Sequence, residues 1–115
     1  MRIHVNDPLD KSAMEKLRSS GYEVTENHLQ KEELLKEIPN INVLVVRSAT
    51  KVTADIIEAG TNLKIIARAG TGLDNVDVEK AKEKGIKILN TPGANGISVA
   101  ELAIGLMISC SRHIA

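Results

Sequence analysis

Five short apolar stretches recur along the chain, and polar stretches with helical spacing separate them. The apolar stretches predict β-strands at 2–6, 22–25, 42–46, 64–67 and 86–89. In the first polar stretch, Ala13, Met14 and Leu17 fall on one side of a helix. Helices are predicted at 10–20, closed by Gly21 as C-cap; at 31–38, stopping before Pro39; at 53–60, with Thr53 as N-cap; and at 78–84.

The third stretch, "NVLVV" at 42–46, is almost wholly apolar. Continuous runs of this kind are typical of strands covered on both faces, as in parallel sheets. Strands alternating with helices predict an α/β fold, an open parallel sheet with helices on both faces and right-handed crossovers. Five units without a sixth strand favour the flavodoxin-like strand order 2-1-3-4-5 over a six-stranded Rossmann sheet.

The last segment, 98–115, has a different pattern. Ser98 and Glu101 form a capping box that predicts a helix start. The helix is apolar nearly all round, yet it is too short and too interrupted to span a membrane. A five-stranded domain covers only one side of such a helix. We therefore expect the other side to pack against another domain or a second copy of the chain.

Composition narrows the class of protein. The chain has 115 residues, 43% of them apolar, with 15 basic and 15 acidic residues. This length suits one domain, and zero net charge gives no reason to expect nucleic acid or a membrane as a partner. Cys110 is the only cysteine, so neither an internal disulfide nor a thiolate metal cluster can form. A cytoplasmic, reducing location is expected, and the amino terminus does not resemble a signal peptide.

Candidate chemistry lies where the strands end, because open parallel sheets bind ligands beyond their carboxyl ends. Arg47 and Ser48 follow the third predicted strand and form a candidate anion clamp, since a guanidinium fork matches carboxylate or phosphate oxygens. The alternative is a surface arginine paired with a nearby acid. Arg68, after the fourth strand, has the same two interpretations and a weaker claim.

The stretch "RAGTGLDNVD" at 68–77 places a glycine turn between a strand and a helix, as in a dinucleotide-binding loop. The fingerprint requires a third glycine where this chain has Asn75, so it is not met. Gly70-Thr71-Gly72 is then either a tight turn that needs positive φ, or a loop whose backbone amides approach an anion.

The three histidines share no motif spacing. His4 lies within the first predicted strand, His28 among polar residues, and His113 near the end of the chain. Each is expected to be structural or solvated, and the sequence nominates no catalytic general base.

Four runs, "RSATKVT" (47–53), "RAGTGLDNVD" (68–77), "GIKILNTPGAN" (85–95) and "SVAELAIGLM" (98–107), carry a family resemblance. In this order and spacing they resemble the amino-terminal part of the phosphoglycerate dehydrogenases, within the D-isomer-specific 2-hydroxyacid dehydrogenase family. The resemblance implies a flavodoxin-like substrate-binding domain at 1–97. It also implies oxidation of 3-phosphoglycerate by NAD, the first step of serine biosynthesis.

The resemblance also implies roles for individual residues. It assigns the small 2-hydroxyacid substrate to Arg47 and Ser48, to the backbone amides of Gly72 and Leu73, to Asn95 and, more weakly, to Arg68. Thr71 resembles a residue at the nicotinamide end of the cofactor.

The family's NAD-binding Rossmann domain and its catalytic arginine, glutamate and histidine lie after the stretch matched by 98–115. The resemblance therefore implies that no catalytic residue is in this chain, and that the chain by itself is inactive. The helix at 98–115 would cross into the nucleotide domain and form a homodimer or larger homo-oligomer.

Proteins of the same fold also serve other functions. A phosphorylation receiver needs an aspartate after strand 3 to hold magnesium, where Arg47 would repel the metal. A flavin-binding module is disfavoured because Asp7 and Asp10 carry the wrong charge for a phosphate, and no aromatic residue near a strand end could stack on the ring. A stand-alone sensor of small molecules stays open.

Overall fold

The computed structural model describes residues 2–7, 11–19, 21–47, 49–68 and 75–90. The predicted helix at 98–115, with its capping box, lies outside the described residues.

Within the described residues, the strands form a single parallel sheet. They are β1 Arg2–Val5, β2 Glu23–Glu26, β3 Val43–Val46, β4 Ile65–Arg68 and β5 Lys87–Asn90. Their order is β2-β1-β3-β4-β5, and each neighbouring pair is parallel. The flavodoxin-like order predicted from five alternating units is confirmed. The predicted strand bounds differ from the observed ones by only one residue at most ends.

The described helices connect these strands: α1 Lys11–Ser19, α2 Lys31–Glu37, α3 Ala54–Ala59 and α4 Val78–Glu83. Gly21 has a φ of 88°, a left-handed conformation that suits the predicted C-cap. After α2 the chain continues as a 3-10 turn, Ile38–Asn40. The predicted stop before Pro39 is thus correct for the α-helix, although Pro39 itself stays in a helical turn because its missing N–H is tolerated there.

The prediction that Thr53 caps α3 is only half correct. Thr53 occupies the N-cap position with extended backbone, but its side chain makes no capping hydrogen bond. Asp77 does cap α4, because its carboxylate accepts from the backbone N–H of Lys80 at 3.1 Å.

The core has two layers, one on each face of the sheet. Alternate strand residues Ile3, Val5, Val43, Val45, Ile65 and Ala67 pack with Ala13, Met14 and Leu17 of α1. The intervening residues Leu44, Val46 and Ile66 pack with Leu34, Ile38, Ile56, Ile57 and Ala81 from the opposite side. Both faces of β3 are buried, which explains its uninterrupted apolar run. This packing fixes the strand ends where candidate site residues lie.

Candidate functional site

The carboxyl ends of β3 and β4 bring two arginines to the same edge of the sheet. Val46 pairs in register with Arg68, and Arg68 pairs in turn with Asn90 of β5. Arg47 follows Val46 directly, so it lies beside the end of β4. The two candidate anion-binding arginines, 21 positions apart in sequence, are neighbours because the strands are parallel and adjacent.

Asp7 supplies a buried carboxylate at this edge, next to the end of β1. Only 1% of the residue is exposed. Its Oδ2 accepts from the backbone N–H of Arg47 at 2.7 Å and from that of Thr50 at 3.1 Å. Its Oδ1 accepts from the Thr50 hydroxyl at 2.7 Å. Asp7 therefore attaches the segment that carries Arg47 to the end of β1.

His28 reaches the same carboxylate from the segment after β2. Its Nδ1 lies 3.2 Å from Oδ1 of Asp7 and 3.0 Å from the backbone oxygen of Asn6. Because both partners are acceptors, Nδ1 carries the proton. The imidazole is partly exposed, with 42% of the side chain accessible. The interpretation of His28 as a structural or solvated residue is consistent with these contacts.

Asn75 joins the two arginine-bearing segments from the other side. Its Nδ2 donates to the backbone oxygen of Arg47 at 2.7 Å and to that of Thr50 at 2.6 Å. Its Oδ1 accepts from Nε of Arg68 at 2.6 Å. The residue that stands where a phosphate loop would have its third glycine thus has a side chain fully engaged in positioning neighbouring groups.

A chain of hydrogen bonds extends from this edge into the sheet. His4 Nε2 donates to Oδ1 of Asn6 at 3.1 Å, and Asn6 Nδ2 donates to the Thr50 hydroxyl at 2.8 Å. The Thr25 hydroxyl donates to Nδ1 of His4 at 2.7 Å. These directions follow because the amide oxygen of Asn6 can only accept, and because the Thr50 hydroxyl donates its own proton to Asp7. The arrangement suits a neutral His4, which agrees with the predicted structural role.

Burial lowers the pKa of His4 below its ordinary value of 6.5, and the hydrogen bond to Asn6 opposes this shift only in part. The unfolded chain therefore takes up a proton first as the pH falls. We expect the contribution of His4 to the free energy of unfolding to be complete above about pH 6.5 and to decline as the pH falls below it. Urea unfolding at about pH 7.5 and about pH 5.5 measures this decline.

His4→Gln is the matched variant, because glutamine stays neutral over this range. We expect it to show a smaller loss of stability on acidification than the parent chain. An equal loss in the two proteins would contradict the assignment of a lowered pKa to His4.

A groove borders the segment that carries Thr50, on the side of α2 and α3. It has a volume of about 350 Å³, and its lining includes His28, Lys31, Lys51 and Thr53. Lys31 is paired with Asp55 at 3.2 Å. Neither Arg47 nor Arg68 lines this groove, so it is separate from the two-arginine edge.

Several residues implied by the family resemblance are not among those that the structure describes. They are Ser48, Thr71, Gly72, Leu73 and Asn95, and their roles stay predictions. Of the predicted set, the structure places Arg47 and Arg68 at the carboxyl ends of two adjacent strands.

Sequence reasoning missed the two residues that hold this edge in place. The sequence identifies Asp7 only as a strand-end residue whose charge is unsuitable for a flavin phosphate, and Asn75 only as the residue in place of a third glycine. A polar residue directly after a buried strand was the one available signal for Asp7.

No group of three metal-ligating side chains occurs among residues 2–7, 11–19, 21–47, 49–68 and 75–90. In the same part of the chain, no helix has the length and apolar character needed to cross a membrane.

A model of the family described as "D-isomer specific 2-hydroxyacid dehydrogenase, catalytic domain" matches residues 3–109. The chain belongs to this family. It is 72% identical over 115 residues to the hydroxypyruvate reductase of Thermotoga maritima, covering 99% of this chain and 38% of the relative. It is 52% identical over 114 residues to the D-3-phosphoglycerate dehydrogenase of Methanocaldococcus jannaschii, covering 99% of this chain and 22% of the relative.

Solved structures of the family share the fold. The crystal structure of NAD⁺-bound 3-phosphoglycerate dehydrogenase from Entamoeba histolytica matches with a TM-score of 0.71 and 40% identity. The match covers 94% of this chain and 38% of that one. The chain therefore spans about a fifth to two fifths of the length of these relatives.

Proposed function

We propose that this chain is the substrate-binding part of an NAD-dependent D-3-phosphoglycerate dehydrogenase, which oxidises 3-phosphoglycerate to 3-phosphohydroxypyruvate at the start of serine biosynthesis. The observation that carries the proposal is the pair Arg47 and Arg68 at adjacent strand ends, in a chain of this family. Two cations on one edge suit a small acid with more than one negative charge.

The chain's own residues would bind and orient the substrate. Arg47 and Ser48 would hold one anionic end, the backbone amides of Gly72 and Leu73 the carboxylate, and Asn95 would line the cleft. These contacts would hold C2 of the acid in position for the reaction, and such positioning is the contribution that a substrate domain makes to catalysis. The groups that move the proton and the hydride are proposed to lie in the rest of the enzyme.

NAD is the proposed cofactor of the complete enzyme, but the described residues do not form a site for its phosphates. Asn75 has its side chain engaged with Arg47, Thr50 and Arg68, where a phosphate loop would need a bare glycine. Only Thr71 is proposed to approach the nicotinamide. The homodimer or larger homo-oligomer through 98–115 and the cytoplasmic location stay predictions.

Reduction of hydroxypyruvate is a second candidate function. It is favoured by the 72% identity to the Thermotoga maritima hydroxypyruvate reductase, against 52% to the Methanocaldococcus jannaschii D-3-phosphoglycerate dehydrogenase. The two reactions are alike at C2. Their substrates differ at C3, which carries a phosphate in one and a hydroxyl in the other. The choice therefore depends on whether an arginine at this edge contacts a phosphate.

A chimera tests both candidates. This chain replaces the matching segment of the Thermotoga maritima relative, and NADH consumption is followed with hydroxypyruvate and with 3-phosphohydroxypyruvate. The proposed function predicts turnover with a higher kcat/KM for the phosphorylated acid. Preference for hydroxypyruvate would support the second candidate, and the unmodified relative is the control.

The isolated chain is expected to consume no NADH above background with either acid, because the proposed catalytic and nucleotide-binding groups lie outside it. Turnover by the isolated chain would overturn this expectation. A folded but inactive chimera, together with tight acid binding by the isolated chain in calorimetry, would favour the stand-alone sensor.

A further inference from the structure

The backbone N–H and C=O groups of Arg47 and Thr50 are held by two different side chains. Their N–H groups donate to the Asp7 carboxylate, at 2.7 and 3.1 Å. Their carbonyl oxygens accept from the amide of Asn75, at 2.7 and 2.6 Å. A segment outside regular secondary structure thus has both backbone hydrogen-bonding groups of two residues satisfied by side chains from the segment after β1 and the segment before α4. Its backbone position is strongly determined.

The Asn75 amide is also bonded to the second arginine. Its Oδ1 accepts from Nε of Arg68 at 2.6 Å, while both contacts of its Nδ2 go to the segment that carries Arg47. Only a side chain with donors on one atom and an acceptor on the other can make this set of bonds. An aspartate could keep the Arg68 contact but would face the two carbonyls without a proton to donate.

We propose that Asn75 is a positioning residue that couples Arg47 to Arg68, so that the two guanidinium groups meet one small anionic hydroxyacid as a preorganised pair. The identity of the substrate rests on the proposed function of this edge, whereas the coupling through Asn75 does not. The hydrogen bond from Arg68 Nε to Asn75 orients the guanidinium. Displacing Asn75 would release the backbone of Arg47 and the side chain of Arg68 together.

The backbone of Asn75 makes contacts of its own. The Val52 N–H donates to the Asn75 carbonyl oxygen at 2.7 Å, and the Asp77 N–H donates to the Val52 carbonyl oxygen at 3.0 Å. These bonds do not involve the Asn75 side chain. A side-chain substitution can therefore test the coupling without removing the attachment of this segment.

Amide hydrogen exchange in the chain as it stands tests the coupling directly. In Asn75→Ala, the carbonyl oxygens of Arg47 and Thr50 lose their partner, so the segment should open more often and the amides of these two residues should exchange about tenfold faster. The amides within β3 should be unchanged. In Asn75→Asp, the same two amides should exchange faster while the Arg68 Nε proton stays protected. Because Asn75→Asp preserves the size of the side chain, it still tests the proposal if Asn75→Ala does not fold.

Arg68→Lys provides the reciprocal arm, since it removes the Nε donor and leaves the bonds of Asn75 to the carbonyls. Coupling predicts exchange at Arg47 and Thr50 that is about threefold faster. Asn42→Ala is the matched control, because Asn42 makes comparable side-chain bonds to Arg2 and Asn62 at the opposite end of the sheet. It should leave the Arg47 and Thr50 amides unchanged. Unchanged exchange in both Asn75 variants would overturn the proposal.

Kinetics of the chimera separate positioning from a merely structural role. Asn75→Ala should raise KM for the 2-oxo acid about tenfold and leave KM for NADH unchanged. In the double variant of Asn75→Ala and Arg47→Lys, the fold loss of kcat/KM should be at least about threefold smaller than the product of the losses in the two single variants. Purely multiplicative effects would contradict the coupling. An inactive parent chimera would refute the proposed function alone, because the exchange experiment would still decide the role of Asn75.

Discussion

Asp7→Ala is expected to lower the free energy of unfolding by about 3 kcal/mol. The substitution removes a buried carboxylate that accepts from two backbone N–H groups and one hydroxyl. Thr50 is itself buried, so its N–H and hydroxyl lose a partner where water does not easily replace it. Urea unfolding of the parent chain and the variant at neutral pH measures the difference.

Two control variants make the Asp7 result specific. Asp7→Asn keeps the shape and one acceptor oxygen for the two N–H groups, so it should cost only about 1 kcal/mol. Asp55→Ala removes an exposed carboxylate whose partner is Lys31, and should change stability by no more than about 0.5 kcal/mol. Equal losses for Asp7→Ala and Asp55→Ala would show that the Asp7 network contributes nothing particular to stability.

Arg47→Ala is expected to reduce kcat/KM of the chimera by about 100-fold or more with the preferred acid. The proposed role of Arg47 is to hold an anionic end of the substrate, and a neutral methyl group cannot replace a charged fork. Arg47→Lys keeps the charge but loses the bidentate geometry, so a loss of about tenfold is expected. Initial rates of NADH consumption at several acid concentrations give these values.

A comparison of the two acids shows which group of the substrate Arg47 contacts, because only one of them carries a phosphate. If it contacts the phosphate, Arg47→Ala should reduce kcat/KM much more for 3-phosphohydroxypyruvate than for hydroxypyruvate. Equal losses would indicate the carboxylate. Lys51→Ala removes an exposed cation from the same segment and should change either value by less than about threefold. Equal effects of Arg47→Ala and Lys51→Ala would refute a specific contact by Arg47.

The fold was predictable because its signals are local. Each apolar run such as "NVLVV" indicates a strand buried on both faces, and the helices between runs leave parallel pairing as the solution. The ends of strands were less predictable. Arg68 belongs to β4 despite its charge, because its position pairs with Val46 and Asn90 on the two neighbouring strands.

The candidate site was only partly predictable. Arg47 and Arg68 could be placed at one edge, because every carboxyl end of a parallel sheet lies there. Asp7 could not be recognised as a buried anchor, since an aspartate is exposed by default and its partners are 40 and 43 positions away. Asn75 gave even less signal, because its importance depends on three groups from two other segments.

By itself, the sequence determined the class of fold, the strand order and the edge at which ligands should bind, because periodicity and crossover handedness are properties of short segments. The tertiary structure alone decided how that edge is held. The side chains of Asp7 and Asn75 bond to the backbone of the same two residues, Arg47 and Thr50, only after β1, β3 and β4 have come together. Hydrogen bonds act over about 3 Å, so residues far apart in sequence can form them only when packing has already set their positions.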